Sequence, residues 1–190
     1  AIPLMDTHFS CGLVHGGGAV QSWSFGADNR SIDFLLRPDL VWEDGTPVEA
    51  VDFLISARFL SDGKMSSPGP RQLHWESNSA LERGRLLAQV ANLTALPHHR
   101  LDREFSPGLL KNDPLSNRKP LSYGPWKLVH WDETKIVLEP NPQAPYDWQP
   151  QTTKIIFQVI PDAADRVIAL ERRDVDMVEG LSTKLINRIQ

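Results

Sequence analysis

The stretch TKIIFQVIPDAADRVIALERRDVDMVEG, residues 153–180, decides the fold class. Residues 155–160 are apolar and β-rich, which predicts a strand covered on both faces. Asp162 is a good N-cap and predicts that a helix begins there. The helix residues predicted to face inward are Val167, Ile168 and Leu170. A second short strand is predicted over residues 175–178. This strand–helix–strand order is typical of an α/β fold.

A nucleotide is not the ligand that this unit suggests. The turn before the helix holds Pro161 and Asp162, where a phosphate-binding loop would have glycines. The glycine run at residues 16–18 is not followed by the Lys-Ser/Thr of a phosphate loop either. We interpret that run as a flexible connection and the 153–180 unit as scaffold.

The segment 41–60 carries the strongest local signals. Asp44-Gly45 predicts a turn, and Thr46 with Glu49 three residues later predicts a capping box. Pro47 suits the first helical position, so a helix is predicted from there to residue 60. On this basis Thr46→Ala would cost about 1 kcal/mol of stability. The residues predicted to face the core are Val51, Leu54, Ile55 and Phe59.

The remaining elements follow from alternation and turn chemistry. A strand is predicted over 31–37, a polar loop over 61–79 and a weaker helix over 80–92. Residues 126–131 and 135–139 are predicted to pair as a hairpin. The tail after residue 180 can start another helix.

Composition limits the classes of function. The chain has 190 residues, 41% of them hydrophobic, which fits a folded domain. Its net charge of -4 gives no electrostatic basis for binding nucleic acid. Cys11 is the single cysteine, so no internal disulfide is possible. No apolar run reaches the roughly 18 residues of a membrane span.

Metal and catalytic motifs are not found in the sequence. Among six histidines, His98 and His99 are adjacent, and adjacent side chains point in different directions and rarely share an ion. HExxH and CxxC patterns are absent, so neither a metal site nor a cofactor is predicted. Asp174 and Asp176 could do acid–base work from one face of a strand, but solvent exposure is the commoner explanation for such a pair. An enzyme is therefore the weakest of the alternatives.

Aromatic and basic residues on the predicted 61–79 loop are candidate ligand contacts. Trp75 lies beside His74, with Arg71 close in sequence. Tryptophan and arginine on loops are common at binding sites. Trp75 could equally close the edge of the core, and both interpretations are open.

Three segments, in order, resemble the family 5 extracellular solute-binding proteins. They are residues 22–60, with its F-x-L-R and D-G-T-P patterns, residues 122–148, with its G-P-W and N-x-x-Y patterns, and residues 153–180. The matching residues are Trp23, Phe34, Leu36, Arg37, Asp44, Gly45, Thr46, Pro47, Ala50, Asp52, Gly124, Pro125, Trp126, Asn141, Tyr146, Ile160, Asp162, Ala169, Leu170, Val175 and Asp176. Leu96, Pro97 and His99 match a further short segment. The chain departs from the family pattern at Ser122, Tyr123 and Arg173.

The resemblance implies an α/β fold, a lobe of the type II periplasmic-binding-protein architecture with a mixed sheet flanked by helices. Residues 1–190 would be the N-terminal part of a larger domain. The family binds peptides or metal chelates in a cleft and delivers them to the membrane permease of an ABC importer, without catalysis. A monomer in the periplasm or outside the cell is implied, either free or, in full-length form, anchored to the membrane as a lipoprotein. The alternative is a ligand-sensing module of a regulator.

The resemblance also suggests ligand contacts. An arginine placed comparably to Arg100 meets chelator carboxylates in nickel-binding members, and a guanidinium suits that task because it stays charged and offers a two-pronged donor. Trp75 would supply the apolar wall, and His99 and Arg71 complete the predicted ligand-binding set. The alternative for Arg100 is a solvated loop residue beside Asp102.

Overall fold

The computed structural model describes residues 7–8, 12–13, 18–101, 118–145, 147 and 149–189. The strands are β1 (Thr7–His8), β2 (Gly12–Leu13), β3 (Val20–Phe25), β4 (Ser31–Leu36), β5 (Gly63–Gly69), β6 (Gln72–Ser77), β7 (Trp126–Trp131), β8 (Lys135–Pro140) and β9 (Ile155–Gln158). The helices are α1 (Ala50–Ala57), α2 (Arg83–Val90), α3 (Ala163–Glu171) and α4 (Thr183–Ile189), with a 3₁₀ turn at His98–Arg100.

A four-stranded antiparallel sheet in the order β3-β4-β6-β5 carries the main core. Strand β4 confirms the strand predicted over 31–37, and its Ile32, Phe34 and Leu36 are buried on one face. Helices α1 and α2 contribute Phe53, Leu86 and Val90 among other residues to the same core. The alternation of β4 thus directs one face of the sheet toward the helices.

The hairpin β5–β6 replaces the polar loop predicted over 61–79, so that prediction was wrong. Strand β6 alternates, burying Leu73, Trp75 and Ser77. Pro68 and two serines in β5 obscured the pattern, and such residues are tolerated because β5 is an edge strand of the sheet.

Helix α1 begins later than predicted. Its N-cap is Glu49, and the Asp52 carboxylate accepts a hydrogen bond from the Glu49 backbone N–H at 3.0 Å. Thr46 instead lies in the preceding turn, where its N–H donates to Asp44 Oδ1 and Gly45 adopts a φ of 88°. The Thr46–Glu49 capping box and its predicted cost on Thr46→Ala therefore do not apply. The fully buried residues of α1 are Ala50, Asp52, Phe53 and Ala57. Of the residues predicted to face the core, Leu54 is partly buried and packs against it, whereas Phe59 is 50% exposed.

Strands β7, β8 and β9 form a separate three-stranded antiparallel sheet, in that order. The predicted hairpin is confirmed, and Asp132 closes its turn by accepting from the backbone N–H groups of Thr134 and Lys135. The fully buried Asn141 fixes the end of the hairpin, since its side chain donates to the Gly124 carbonyl at 2.9 Å.

Ion pairs connect residues that are far apart in the chain. The Arg37 guanidinium, from the F-x-L-R pattern, donates to both carboxylate oxygens of Asp147 at 2.8 Å and also binds Asp39. These partners raise the pKa of Arg37 and lower those of both carboxyl groups. Arg37 therefore joins the end of β4 to the segment after β8.

The 153–180 unit is partly as predicted. Asp162 caps α3, accepting from the N–H groups of Ala164 and Asp165, and Val167 is buried. Residues 175–178 form no strand, so the prediction of a second strand there was wrong. Asp174 and Asp176 are both exposed. All strand pairings within the described ranges are antiparallel.

Strand β9 is not covered on both faces, contrary to prediction. Phe157 is 55% exposed, and Ile156 and Val159 are similarly accessible. The tail prediction is confirmed by α4. None of the helices in the described portion has the length and apolarity to cross a bilayer.

Candidate functional site

Three separate segments meet at the N-terminal end of α1. They are residues 41–52, residues 96–101 and residues 122–126. The Glu43 N–H donates to the Ser122 carbonyl at 2.8 Å, and the Leu96 N–H donates to the Asp52 carbonyl at 2.9 Å. Each segment contains family-like residues, so the patterns that are dispersed in sequence converge in space.

Asp52 is the polar centre of this junction. Its side chain has 0% exposure, and Oδ2 accepts from the Trp42 indole N–H at 3.1 Å and from the Glu49 N–H. Oδ1 accepts from both the backbone N–H and the ring Nδ1–H of His98, at 2.9 and 2.6 Å. A buried carboxylate needs this many donors, because a polar group buried without hydrogen-bond partners costs free energy.

Two aromatic side chains, Trp42 and Tyr123, pack against each other at the junction. The rings of Trp42 and Tyr123 meet edge to face with centroids 4.9 Å apart, a favoured aromatic geometry. Both are fully or almost fully buried. Burial raises the pKa of the Tyr123 hydroxyl, which stays protonated. Tyr123, a departure from the family pattern, therefore acts as core.

Asp44 holds two of the predicted ligand residues together. Its Oδ2 lies 2.9 Å from His99 Nε2 and 3.1 and 3.0 Å from Nε and Nη2 of Arg100. Partial burial opposes ionisation, but hydrogen bonds from His99, Thr46 and Arg100 together hold the pKa of Asp44 well below its usual range. The Asp44 carboxylate is therefore charged at neutral pH.

The rings of the two adjacent histidines lie close together, although adjacent side chains were expected to point in different directions. The rings of His98 and His99 meet edge to face with centroids 6.0 Å apart. Asp52, His98 and His99 each offer one ligand atom, and these atoms lie within 4.8 Å of one another. The Nδ1 atom of His99 is buried and has no hydrogen-bond partner within the described portion of the chain.

Glu43 adds a second unusual carboxyl group at the junction. Its Oε2 is buried without a hydrogen-bond partner among the described residues. Burial raises the pKa of Glu43, outweighing the opposing effects of the backbone hydrogen bond with Ser122 and of Lys127. A carboxyl group in this condition favours its protonated form more than an exposed one does.

The predicted ligand set is only partly brought together. His99 and Arg100 share Asp44, and Arg100 remains 53% exposed. Arg71 lies at the turn between β5 and β6 and donates to the Leu36 carbonyl. Trp75 lies within β6, has 0% exposure and donates its indole N–H to Gln89 Oε1. The structure favours the core interpretation of Trp75, since it has no surface to offer a ligand. Asp102 lies outside the described residues, as does Tyr146.

Sequence reasoning did not assign Asp44, Asp52 or Glu43 to a site. Asp44 was interpreted only as a turn residue, and Asp52 only as part of the family-like pattern. The available signal was the presence of four acidic residues in the ten positions after Trp42, next to a turn. The partners of Asp44 and Asp52 lie about 50 residues away, in the 3₁₀ turn, and local patterns do not show that pairing.

Residues 16–190 match the family described as bacterial extracellular solute-binding proteins, family 5 Middle. The chain belongs to this family, because the match covers most of its length.

Named relatives are binding proteins. The chain is 26% identical over 175 residues to the nickel-binding periplasmic protein of Escherichia coli (strain K12), covering 84% of this chain and 32% of the relative. It is 23% identical over 192 residues to the probable D,D-dipeptide-binding periplasmic protein DdpA of the same organism, covering 92% and 36%. The chain thus spans about a third of the length of these relatives.

Solved structures confirm the fold class, an α/β lobe of the periplasmic-binding type. NikZ from Campylobacter jejuni in complex with Ni(L-His) aligns with a TM-score of 0.77 at 21% identity, covering 92% of this chain and 36% of that chain. The oligopeptide-binding protein AppA from Bacillus subtilis, in complex with a nonapeptide, aligns with a TM-score of 0.73 at 18% identity, covering 84% and 34%.

Proposed function

We propose that this chain forms part of one lobe of a solute-binding protein that captures a peptide or a metal chelate for an ABC importer. The family match over residues 16–190 carries this proposal. The relatives' names, nickel-binding and D,D-dipeptide-binding, supply the two ligand classes. Neither class requires a bond to be made or broken, so the role is binding, with the ligand passed to the membrane permease.

Arg100 and His99 are the ligand contacts that we propose from the predicted set. Arg100 uses Nε and Nη2 on Asp44, which leaves Nη1 without a partner among the described residues. Since half of the side chain is exposed, Nη1 can donate to a ligand carboxylate while Asp44 keeps the guanidinium in place. Arg71 is a weaker candidate, because it lies on a different turn and no hydrogen bond within the described ranges joins it to His99 or Arg100.

The cellular setting is part of the same proposal. The relatives are periplasmic by name. We propose a monomer that works outside the cytoplasmic membrane, free or held there as a lipoprotein, without a nucleic-acid partner. The net charge of -4 supports the last point, because nucleic-acid binding depends on neutralising phosphates with basic side chains.

Native mass spectrometry of the purified protein tests this function. A small ligand that co-purifies should appear as an added mass that is lost on collisional activation. The dissociated mass identifies a peptide or a chelate directly. Retention of a nucleic acid or a protein partner in place of a small solute would contradict the proposal and favour the regulator module.

A further inference from the structure

We propose that Asp52, His98 and His99 bind one divalent transition-metal ion directly, with Asp44 as the outer carboxylate that orients His99. The proposal goes beyond capture of a solute, since the ion would be held by side chains of this chain and not by a chelator. It rests on the hydrogen-bond contacts and burial of His99, on the ligand types that surround it and on their spacing.

The contact between His99 and Asp44 fixes the tautomer of the imidazole. His99 Nε2 lies 2.9 Å from Asp44 Oδ2, and a carboxylate oxygen accepts a hydrogen bond, so this contact assigns the ring proton to Nε2. In the neutral ring Nδ1 then carries a lone pair. That atom is buried and meets no donor among the described residues. A buried acceptor without a donor is rare, and a metal ion would satisfy it.

A histidine with one ring N–H on a carboxylate and the other nitrogen free is the arrangement found at metal sites. The carboxylate fixes the orientation of the ring and makes the ligating nitrogen more basic. Asp44 is itself held by Arg100, which keeps its carboxylate in place. The hydrogen bonds that would support His99 as a metal ligand, from His99 to Asp44 and from Arg100 to Asp44, are therefore already present.

The inner ligands fit a transition metal. The ligand atoms of Asp52, His98 and His99 lie within 4.8 Å of one another, so small movements can bring all three onto one ion. Two imidazoles and one carboxylate suit zinc, nickel, cobalt or iron, whereas magnesium and calcium prefer oxygen ligands alone. Three protein ligands leave further coordination positions for water.

Binding exchanges one hydrogen bond for metal–ligand bonds. In the structure His98 Nδ1–H donates to Asp52 Oδ1 at 2.6 Å. Ligation through Nδ1 requires the other tautomer of the neutral ring, in which the proton has moved from Nδ1 to Nε2 by exchange with solvent. The hydrogen bonds that Asp52 Oδ2 accepts from Trp42 and from the Glu49 N–H need not break. The carboxylate therefore stays anchored while Oδ1 turns to the ion.

Two other histidines provide matched controls. His74 Nδ1 lies 2.7 Å from Asp33, and His130 Nε2 lies 2.6 Å from Asp132, so both have a carboxylate partner as His99 does. Neither belongs to a cluster of three potential ligands within the described residues. A His→Gln change at either position removes a His–Asp pair without touching the proposed site.

The test uses untagged protein carrying Cys11→Ser, so that the thiol cannot supply a ligand. Ni²⁺ and Co²⁺ chlorides are titrated alone by calorimetry, and the Co²⁺ complex is followed by its visible absorption. We expect one ion per chain. His98→Gln and His99→Gln should each lower affinity at least tenfold, Asp44→Asn should lower it about 10–100-fold, and His74→Gln and His130→Gln should leave it unchanged.

Two results would overturn the proposal. One is the absence of saturable binding of either ion by the folded protein. The other is an equal loss of affinity in the His74 or His130 variants, which would indicate adventitious surface binding. Circular dichroism of each variant establishes that it is folded. A parallel titration with a metal-free D,D-dipeptide keeps the outcome separate from that of the solute-binding function.

Discussion

Asp52 joins three parts of the chain through one carboxylate. It accepts from an indole on the preceding loop, from the N-cap amide of its own helix and twice from His98, which is 46 residues away. Because the carboxylate is fully buried, removing its charge would weaken these hydrogen bonds at a point that water does not reach. The residue therefore matters first for folding, and its place in the proposed metal site depends on the same rigidity.

Asp52→Asn should lower the free energy of unfolding by about 2–4 kcal/mol, the cost of weakening charged hydrogen bonds and burying a mismatched amide group. Urea denaturation followed by tryptophan fluorescence measures the change. Asp33→Asn is the control, because Asp33 also pairs with a histidine but is exposed. Equal effects of the two substitutions would contradict the central role of Asp52.

Glu43 should make stability depend on pH. Its folded pKa is raised above the ordinary value of 4.5 by burial. Below the unfolded pKa both states are protonated and the group has no effect. As pH rises through the folded pKa, ionisation destabilises the folded state.

Glu43→Gln should therefore stabilise the protein at pH 7 but not at pH 4. Urea denaturation at both pH values, with the exposed Glu76→Gln as control, gives the comparison, and a gain at pH 4 equal to that at pH 7 would exclude this cause.

At the scale of elements, α1 shows how a local rule can select the wrong residues. The sequence around it contains two possible capping boxes, Thr46 with Glu49 and Glu49 with Asp52. The second forms, because Trp42 and His98 also bind Asp52 and fix its position. The helix then begins three residues later than predicted and turns a different face toward the sheet.

Two phenylalanines test this face directly. Phe53 has 0% exposure inside the core, whereas Phe59, just beyond the end of α1, is half exposed. Phe53→Ala should cost about 3–5 kcal/mol, combining lost burial with the cavity that remains. Phe59→Ala should cost well under half as much. Thermal or urea unfolding of both variants measures the two losses of stability. A larger loss for Phe59→Ala than for Phe53→Ala would support the buried face predicted from periodicity.

The features that could be predicted from the sequence are those whose interacting residues lie close together in the chain. The β7–β8 hairpin and the Asp162 cap were predicted, because a turn and a cap depend on residues within a few positions of each other. Strand β5 was missed, since its pairing with β6 determines its structure more than its own composition does. The pairing of Asp44 with His99 and Arg100 spans over 50 residues and leaves no local pattern.

At the scale of the whole molecule, the residues that carry the family resemblance mostly hold the fold together. Arg37 binds Asp147, Asp52 joins three segments, and Asn141 fixes the end of the second hairpin. Family membership could thus be inferred from the sequence, because the family pattern includes residues that hold the fold together. Trp75, one of the predicted ligand contacts, lies in the core.

Calorimetric titration of the purified protein with a nickel–histidine complex and with a D,D-dipeptide tests the central claim, capture of a small solute. We expect saturable one-to-one binding of one of the two ligands. Arg100→Ala should weaken it by about 1.5–3 kcal/mol, the range for a lost charge-assisted hydrogen bond. The exposed Arg85→Ala, on α2, should have no effect. Absence of binding to either ligand by the folded protein, together with no co-purified small molecule, would contradict the claim.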